Sequence, residues 1–246
     1  MKTGIASVTF RELPYMEVIR LVKEAGLDGI EWGGDMHCLP GDIKTAREIL
    51  KATQDAGLTV ISYGSYYHVG CFENFDGILE TALTLETKNI RVWAGGWLPS
   101  INATEQNWND AIADSQRIAD MAMPYGIDIS YEYHDNSLTD SLDSALRLLN
   151  AVQRDNVLTY WQAPAEMPVE ENLEVLRTLV SMKKLKNAHV FSTNMGERLP
   201  LEANADDWRR YIHEMLPANP ALLLEFVKDD SPANFLQDGA FLKTLV

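Results

Sequence analysis

The chain has 246 residues, of which 46% are hydrophobic, and a formal net charge of -15 at pH 7. This charge argues against nucleic acid as a partner, because an acidic surface repels a phosphate backbone. No run of about 18 apolar residues is present that would span a membrane. The first residues, MKTGIASVTF, lack the apolar segment and cleavage site of a secretory signal. We therefore expect a cytoplasmic protein that does not bind membranes.

Short apolar runs recur along the chain and predict eight β-strands, near residues 4–9, 28–32, 58–63, 89–93, 127–132, 156–161, 187–191 and 221–227. Between them lie segments in which apolar residues recur with helical spacing, as in 18–22 and 142–149. In three places a helix-like segment ends in glycine and an apolar run begins at once: EAGLDGIEW, DAGLTVISY and PYGIDISYE. Such short links are typical of connections from a helix to a strand.

Eight alternations of strand and helix predict a single (β/α)8 TIM barrel that forms one domain over residues 1–246. An open doubly wound sheet fits less well, because no G-x-G-x-x-G motif follows the first predicted strand. We expect the connection at residues 94–110 to form a long loop over one end of the barrel.

Polar residues at the predicted strand ends suggest where the function lies, since the active site of such barrels is at the carboxyl ends of the strands. Glu31, Glu132, His189 and Glu225 occupy such positions. Each of them alone could instead pair with a basic residue or face water at the rim. Arg91 is the clearest cation on a strand. Several converging carboxylates would repel one another unless a divalent metal ion neutralised them.

Five stretches in a regular order carry a family resemblance: GIASVTF, GLDGIEWGGDMH, EYHDNSLTDS, HVFSTNMGERLPL and LLLEFV. Together they resemble the xylose isomerase-like TIM barrel superfamily. The similarity is to its sugar phosphate isomerase/epimerase branch, which includes tagatose/psicose epimerases, hydroxypyruvate isomerase and inosose dehydratase. The resemblance covers essentially the whole chain.

The resemblance implies one bound divalent ion, with Mn²⁺ expected and Mg²⁺, Co²⁺ or Zn²⁺ as alternatives. In the family, a glutamate, an aspartate, a histidine and a glutamate from strands five to eight bind it. Glu132, His189 and Glu225 match three of these positions. Gln162 stands where the family has aspartate, and the histidine three residues later is missing. We predict that Gln162 still provides an oxygen ligand, with weaker metal binding or an altered step on the substrate.

The resemblance also implies a reaction, the isomerisation or epimerisation of a sugar or sugar phosphate through an enediolate. Glu132 and Glu225 are the predicted catalytic residues: one removes the proton next to the carbonyl, and the other returns a proton on the opposite face. Six residues are predicted to bind the substrate through hydrogen bonds or ring stacking: His68, His134, Arg198, Trp93, Trp32 and His37.

Three alternatives remain open from the sequence. A metal-dependent dehydratase, or a lyase acting on a C-glycoside or keto-sugar, would begin with the same proton abstraction, and the departure at Gln162 leaves room for it. A catalytically degenerate barrel that only binds a sugar is the non-enzymatic alternative. An endonuclease IV-like nuclease fits poorly, because its metal cluster needs more histidines than the five present here. The family also leads us to expect a homo-oligomer.

Overall fold

The computed structural model describes residues 1–164 and 167–246. The strands in these residues are β1 Thr3–Ala6, β2 Gly29–Gly33, β3 Thr59–Val69, β4 Asn89–Ala94, β5 Asp128–Tyr131, β6 Val157–Trp161, β7 Leu185–Val190, β8 Ser192–Asn194, β9 Glu197–Leu199 and β10 Ala221–Leu224. The α-helices are α1 Tyr15–Glu24, α2 Ile43–Asp55, α3 Asp76–Thr84, α4 Glu105–Ala122, α5 Leu142–Val152, α6 Val169–Ser181, α7 Ala205–Met215 and α8 Pro232–Leu245.

Eight strands form a closed parallel barrel in the order β1-β10-β7-β6-β5-β4-β3-β2. The barrel closes at β1, where Thr3 pairs with Leu222 of β10 and Gly4 pairs with Gly29 of β2. The remaining strands, β8 and β9, form a small antiparallel hairpin after β7. The predicted (β/α)8 TIM barrel is therefore confirmed.

Glycine ends the helical segment at the three places where the sequence predicted it. Gly26, Gly57 and Gly126 have φ angles of 66°, 79° and 62°. These lie in the left-handed region, where a side chain would be strained and glycine is not. The chain can therefore turn directly from each helical segment into β2, β3 or β5.

An apolar layer between the strands and the surrounding helices forms the core. Helix α1 shows how the sequence builds it, because its buried residues Val18, Ile19, Leu21 and Val22 share one face of the helix. Among the described residues, no helix combines the length and apolar character needed to cross a membrane.

The prediction of a loop over the whole of 94–110 was wrong for its second half. A 3₁₀ turn covers Ser100–Asn102, and α4 begins at Glu105. A capping box starts this helix: the Thr104 side chain accepts from the Asn107 N–H at 3.3 Å, and the Asn107 side chain accepts from the Thr104 N–H at 2.9 Å. These bonds satisfy backbone donors that the first helical turn leaves free.

Candidate metal centre and active site

Five charged or titratable side chains meet inside the barrel near the carboxyl ends of the strands. Glu31, Arg91 and His189 lie on β2, β4 and β7, while Glu132 and Glu225 each follow the last residue of β5 and β10. All five are between 1% and 5% exposed. We call them the barrel cluster. Side chains alternate between the two faces of a strand, and this alternation directs these residues into the barrel.

His189 is the centre of the candidate metal site. Its Nδ1 lies 3.2 Å from Gln162 Oε1, 3.2 Å from Glu225 Oε2 and 3.6 Å from Glu132 Oε1. The donor atoms of Glu132, His189 and Glu225 all lie within 4.8 Å of one another. The structure thus brings together all four residues that were predicted as metal ligands.

The chemistry of these four residues fits a divalent ion. Three side-chain oxygens lie within 3.6 Å of one imidazole nitrogen, and such a set of donors suits Mn²⁺, Mg²⁺ or related cations. The two carboxylates of Glu132 and Glu225 also carry the charge that a divalent cation would balance. Gln162 is 8% exposed, so its amide oxygen faces the other donors and not bulk water.

Arg91 lies within the barrel cluster and contacts two of its carboxylates. Its Nε donates to Glu31 Oε1 at 2.8 Å, and its Nη1 donates to Glu132 Oε2. Pairing with a basic residue, which the sequence left open for each carboxylate, is therefore present for Glu31 and Glu132. Arg91 offsets one of three negative charges, which leaves two for a divalent cation.

The charges in the barrel cluster shift its pKa values. Burial opposes the charged form of His189, but Glu225 and Glu31 outweigh it and raise the pKa of His189 to about 10. Burial alone would raise the pKa of Glu225, yet the charges of His189 and Arg91 lower it. The pKa of Glu31 is also lowered, against its own burial, by Arg91 and His189. Without a bound cation, His189 therefore carries a proton at neutral pH, and Glu31 and Glu225 are ionised.

A second polar layer supports the barrel cluster from below, and the sequence analysis missed it. Tyr160 donates to Glu31 Oε2 at 2.7 Å and accepts from the side-chain amides of Asn89 at 3.0 Å and Asn187 at 2.8 Å. These residues occupy inward positions on β4, β6 and β7. The sequence carried one signal for this layer: an asparagine or a tyrosine stands at strand positions that alternation directs into the barrel.

Three of the predicted substrate-binding residues lie together beside this site. Trp93 is 5% exposed. The centroid of its ring lies 4.6 Å from that of His134 and 6.1 Å from that of His68. Trp97, which the sequence analysis did not single out, lies 4.4 Å from Trp93 and is 59% exposed. We call these four residues the aromatic rim.

A cavity of about 160 Å³ is lined by one residue of the aromatic rim, His134, and by one candidate metal ligand, Gln162. Its walls include His134, Gln162, Phe191 and Thr193. Because Gln162 belongs to the metal donors and His134 to the rim, a small polar molecule in this cavity would contact both.

Arg198 lies apart from these residues, at a second cavity of about 330 Å³ between the segments that follow β1 and β10. Its guanidinium pairs with Asp230 and stacks over the ring of Phe226 at 4.6 Å. Arg11 lines the same cavity. Phe226 directly follows Glu225, so this cavity also borders the carboxyl end of the barrel.

The positions of Trp32 and His37 do not fit the predicted substrate contacts. Trp32 is 0% exposed and alternates with Glu31 on β2, so it faces the core and not the barrel interior. The two ring nitrogens of His37 contact Ser7 Oγ at 3.0 Å and the Leu13 carbonyl at 2.9 Å. His37 thus has structural partners, and Trp32 packs against the His37 ring with the centroids 5.7 Å apart. We therefore no longer expect either residue to contact substrate.

Comparisons with known proteins place the chain among proteins of the same barrel fold. A curated 3-dehydroshikimate dehydratase of Bacillus anthracis is 25% identical over 217 residues, which cover 79% of this chain and 76% of the relative. A crystal structure of a probable 3-DHS dehydratase from the same organism has a TM-score of 0.83 at 18% identity, over 99% of each chain.

Sugar epimerases share this fold as well. A 3-keto-D-glucoside 4-epimerase of E. coli has a TM-score of 0.76 at 20% identity, over 99% of each chain. A D-allulose 3-epimerase of Methylomonas sp. has a TM-score of 0.74 at 16% identity, over 100% of this chain and 98% of the other. The family model described as xylose isomerase-like TIM barrel matches residues 19–245. The chain therefore belongs to the xylose isomerase-like TIM barrel family.

Proposed function

We propose that this chain is a divalent-metal-dependent sugar or sugar phosphate isomerase or epimerase, with Mn²⁺ as the expected ion. The observation that carries the proposal is the convergence of Glu132, Gln162 and Glu225 on His189 Nδ1, at distances of 3.2 to 3.6 Å. This arrangement combines two glutamates that can transfer protons with a place for a cation. The relatives named above are enzymes, which also favours catalysis over a purely binding function.

In this proposal, Glu132 and Glu225 transfer the protons. One carboxylate takes the proton from the carbon next to the substrate carbonyl, and the other returns a proton to the same or the neighbouring carbon. A divalent cation, when bound, would stabilise negative charge on the substrate oxygens. Arg91 holds Glu132 Oε2 by an ion pair, so Glu132 Oε1 is the atom that faces His189.

The aromatic rim supports a ring-shaped, polyhydroxylated substrate. Trp93 and Trp97 offer apolar faces on which the C–H groups of a sugar can pack, while His68 and His134 offer hydrogen bonds to its hydroxyls. His68 Nδ1 already contacts the Gly95 carbonyl at 3.1 Å, which fixes the orientation of its ring. Arg198 stays in the proposal as a contact for a more distant or anionic part of the substrate.

A dehydratase is the second candidate, and His134 is the residue that favours it. Loss of water from a β-hydroxy ketone needs a base for the proton and an acid for the departing hydroxide. His134 lies two residues beyond Glu132 and lines the same cavity as Gln162. It is thus placed to serve as the acid after Glu132 has removed the proton. The similarity to 3-dehydroshikimate dehydratase supports the same alternative.

One assay tests the proposal and separates its two forms. Ketoses, inososes, 3-keto-sugars and 3-dehydroshikimate are incubated with the Mn²⁺-loaded protein in D₂O and followed by NMR. Isomerisation or epimerisation places deuterium on a carbon at or next to the carbonyl without loss of hydroxyl, whereas dehydration yields an unsaturated product. The Glu132→Gln variant is the matched control. An isomer or epimer that carries no deuterium at or next to the former carbonyl carbon would contradict the first form, and the absence of any unsaturated product would contradict the second.

A further inference from the structure

Glu31 is the member of the barrel cluster to which the proposed mechanism gives no direct task, although it has four polar neighbours. Its Oε2 accepts from Ser62 at 2.6 Å and from Tyr160 at 2.7 Å. Its Oε1 accepts from Arg91 Nε at 2.8 Å and lies 3.5 Å from His189 Nε2. The side chain is 1% exposed, so these neighbours, and not water, determine its role.

The orientation of His189 explains what Glu31 contributes. A histidine binds a metal through the nitrogen that carries no proton, and the other nitrogen then needs an acceptor. Nδ1 of His189 faces Gln162, Glu132 and Glu225, so the proton belongs on Nε2. Among the described residues, Nε2 has no hydrogen-bond partner at normal geometry, and Glu31 Oε1 at 3.5 Å is the acceptor beside it.

Glu31 also acts on a second ligand through Arg91. The guanidinium donates to Glu31 through Nε and to Glu132 Oε2 through Nη1. Since the guanidinium is planar and rigid, its position relative to Glu31 determines where it holds Glu132. Glu132 then presents its other oxygen to the shared site.

We propose that Glu31 is a positioning residue that orients two metal ligands at once, His189 directly and Glu132 through Arg91. This inference rests on the proposed function, because it takes the four converging residues as a metal site. Tyr160 donates to Glu31 from below and is itself held by Asn89 and Asn187, while Ser62 donates to Glu31 from β3. The carboxylate can therefore keep one geometry whether or not a substrate is present.

The test compares Mn²⁺ binding by calorimetry in the wild type, Glu31→Gln and Asp114→Asn, each stripped with chelator beforehand. Glu31→Gln keeps the shape but replaces an acceptor with a donor, and we expect a 10- to 100-fold loss of affinity, as for other residues that orient metal ligands. Asp114 is a matched control, because it is also fully buried and accepts from a tyrosine and an arginine, but on the outer helix α4. Its variant should bind Mn²⁺ as the wild type does.

Equal affinity in Glu31→Gln and the wild type would overturn the inference and leave the proposed function intact. A wild type that binds no divalent ion would overturn both. A second measurement does not depend on any variant folding: nitrogen NMR of the zinc-loaded wild type. We expect a proton on His189 Nε2 and none on Nδ1, and the reverse assignment would contradict the role of Glu31.

Discussion

Two buried groups of charges in this molecule differ in how their charges balance. On the outside of the barrel, Asp114 of α4 accepts from Tyr67 at 2.8 Å, from the Gly70 N–H at 2.9 Å and from Arg117 at 3.0 Å. We call Asp114, Tyr67 and Arg117 the helix cluster. It holds one carboxylate and one guanidinium. The barrel cluster instead holds three carboxylates and one guanidinium.

The difference separates a structural ion pair from a candidate binding site. A buried carboxylate is tolerated when a cation and hydrogen-bond donors meet it, as in the helix cluster. In the barrel cluster, Arg91 pairs with two carboxylates but offsets only one charge. Protonation of His189 meets the remaining charge in part, and a bound divalent ion would balance it fully. Net charge within a buried cluster is thus more informative than the presence of acidic residues alone.

The largest expected effect comes from removing a carboxylate from the barrel cluster. Glu132→Gln or Glu225→Gln should lower turnover by on the order of 10² to 10⁴, because each change removes a proton carrier and a charged metal ligand. The fold should persist, as judged by circular dichroism. Asp114→Asn removes a carboxylate from the helix cluster and should keep the turnover of the folded protein. Unchanged turnover in either glutamate variant would contradict the model of two proton carriers.

Removing the metal ion should lower the free energy of unfolding by an amount that depends on the free Mn²⁺ concentration relative to Kd. At a free Mn²⁺ concentration of about 100 times Kd, binding stabilises the folded state by roughly 2.7 kcal/mol. For a domain of this size, that corresponds to about 5 to 11 °C in the unfolding temperature. Differential scanning calorimetry with Mn²⁺ and with excess chelator measures it. Identical unfolding temperatures would mean that the barrel cluster binds no ion.

The smallest expected effect is on stability, and it comes from a buried carboxylate whose described hydrogen-bond donor is a backbone N–H and not an arginine. Asp238 of α8 is 4% exposed and accepts from the Leu201 N–H at 2.8 Å. Burial raises the pKa of Asp238 to about 6. The folded protein therefore holds this proton more tightly than the unfolded chain does, so the contribution of Asp238 to stability falls as pH rises from about 4 to 6.

The Asp238→Asn variant should remove this pH dependence. We expect it to be more stable than the wild type by about 2 kcal/mol at pH 7.5 and equally stable at pH 4, where the carboxyl of the wild type is protonated. Urea unfolding at the two pH values measures the difference. An equal difference at both pH values would show that the substitution acts through packing and not through charge.

The fold was predictable because its signals are local and repeated. Apolar runs gave the bounds of the eight barrel strands to within three residues, except that β3 extends six residues further, to Val69. Glycine marked three of the links between helix and strand. The start of α4 was missed, although Thr104 is a residue type that favours the N-cap position. The run of loop-forming residues before Thr104 outweighed that signal.

The site was predictable only in part, because its contacts join strands that are far apart in sequence. The four converging residues follow from strand ends and family resemblance. Arg91 and Glu31 are 60 positions apart in the sequence, and their strands are not neighbours in the barrel. No local sequence pattern therefore shows that they pair. Trp32 was different, since alternation alone places it on the opposite face from Glu31. The prediction that Trp32 binds substrate could therefore have been avoided from the sequence.

The most direct test of the central claim is a calorimetric titration of the chelator-stripped protein with Mn²⁺. We predict one binding site per chain, strongly weakened in Glu225→Gln and unaffected in Asp114→Asn. Absence of binding in the wild type, or equal binding in wild type and Glu225→Gln, would contradict the claim that the unbalanced charge of the barrel cluster marks a metal site.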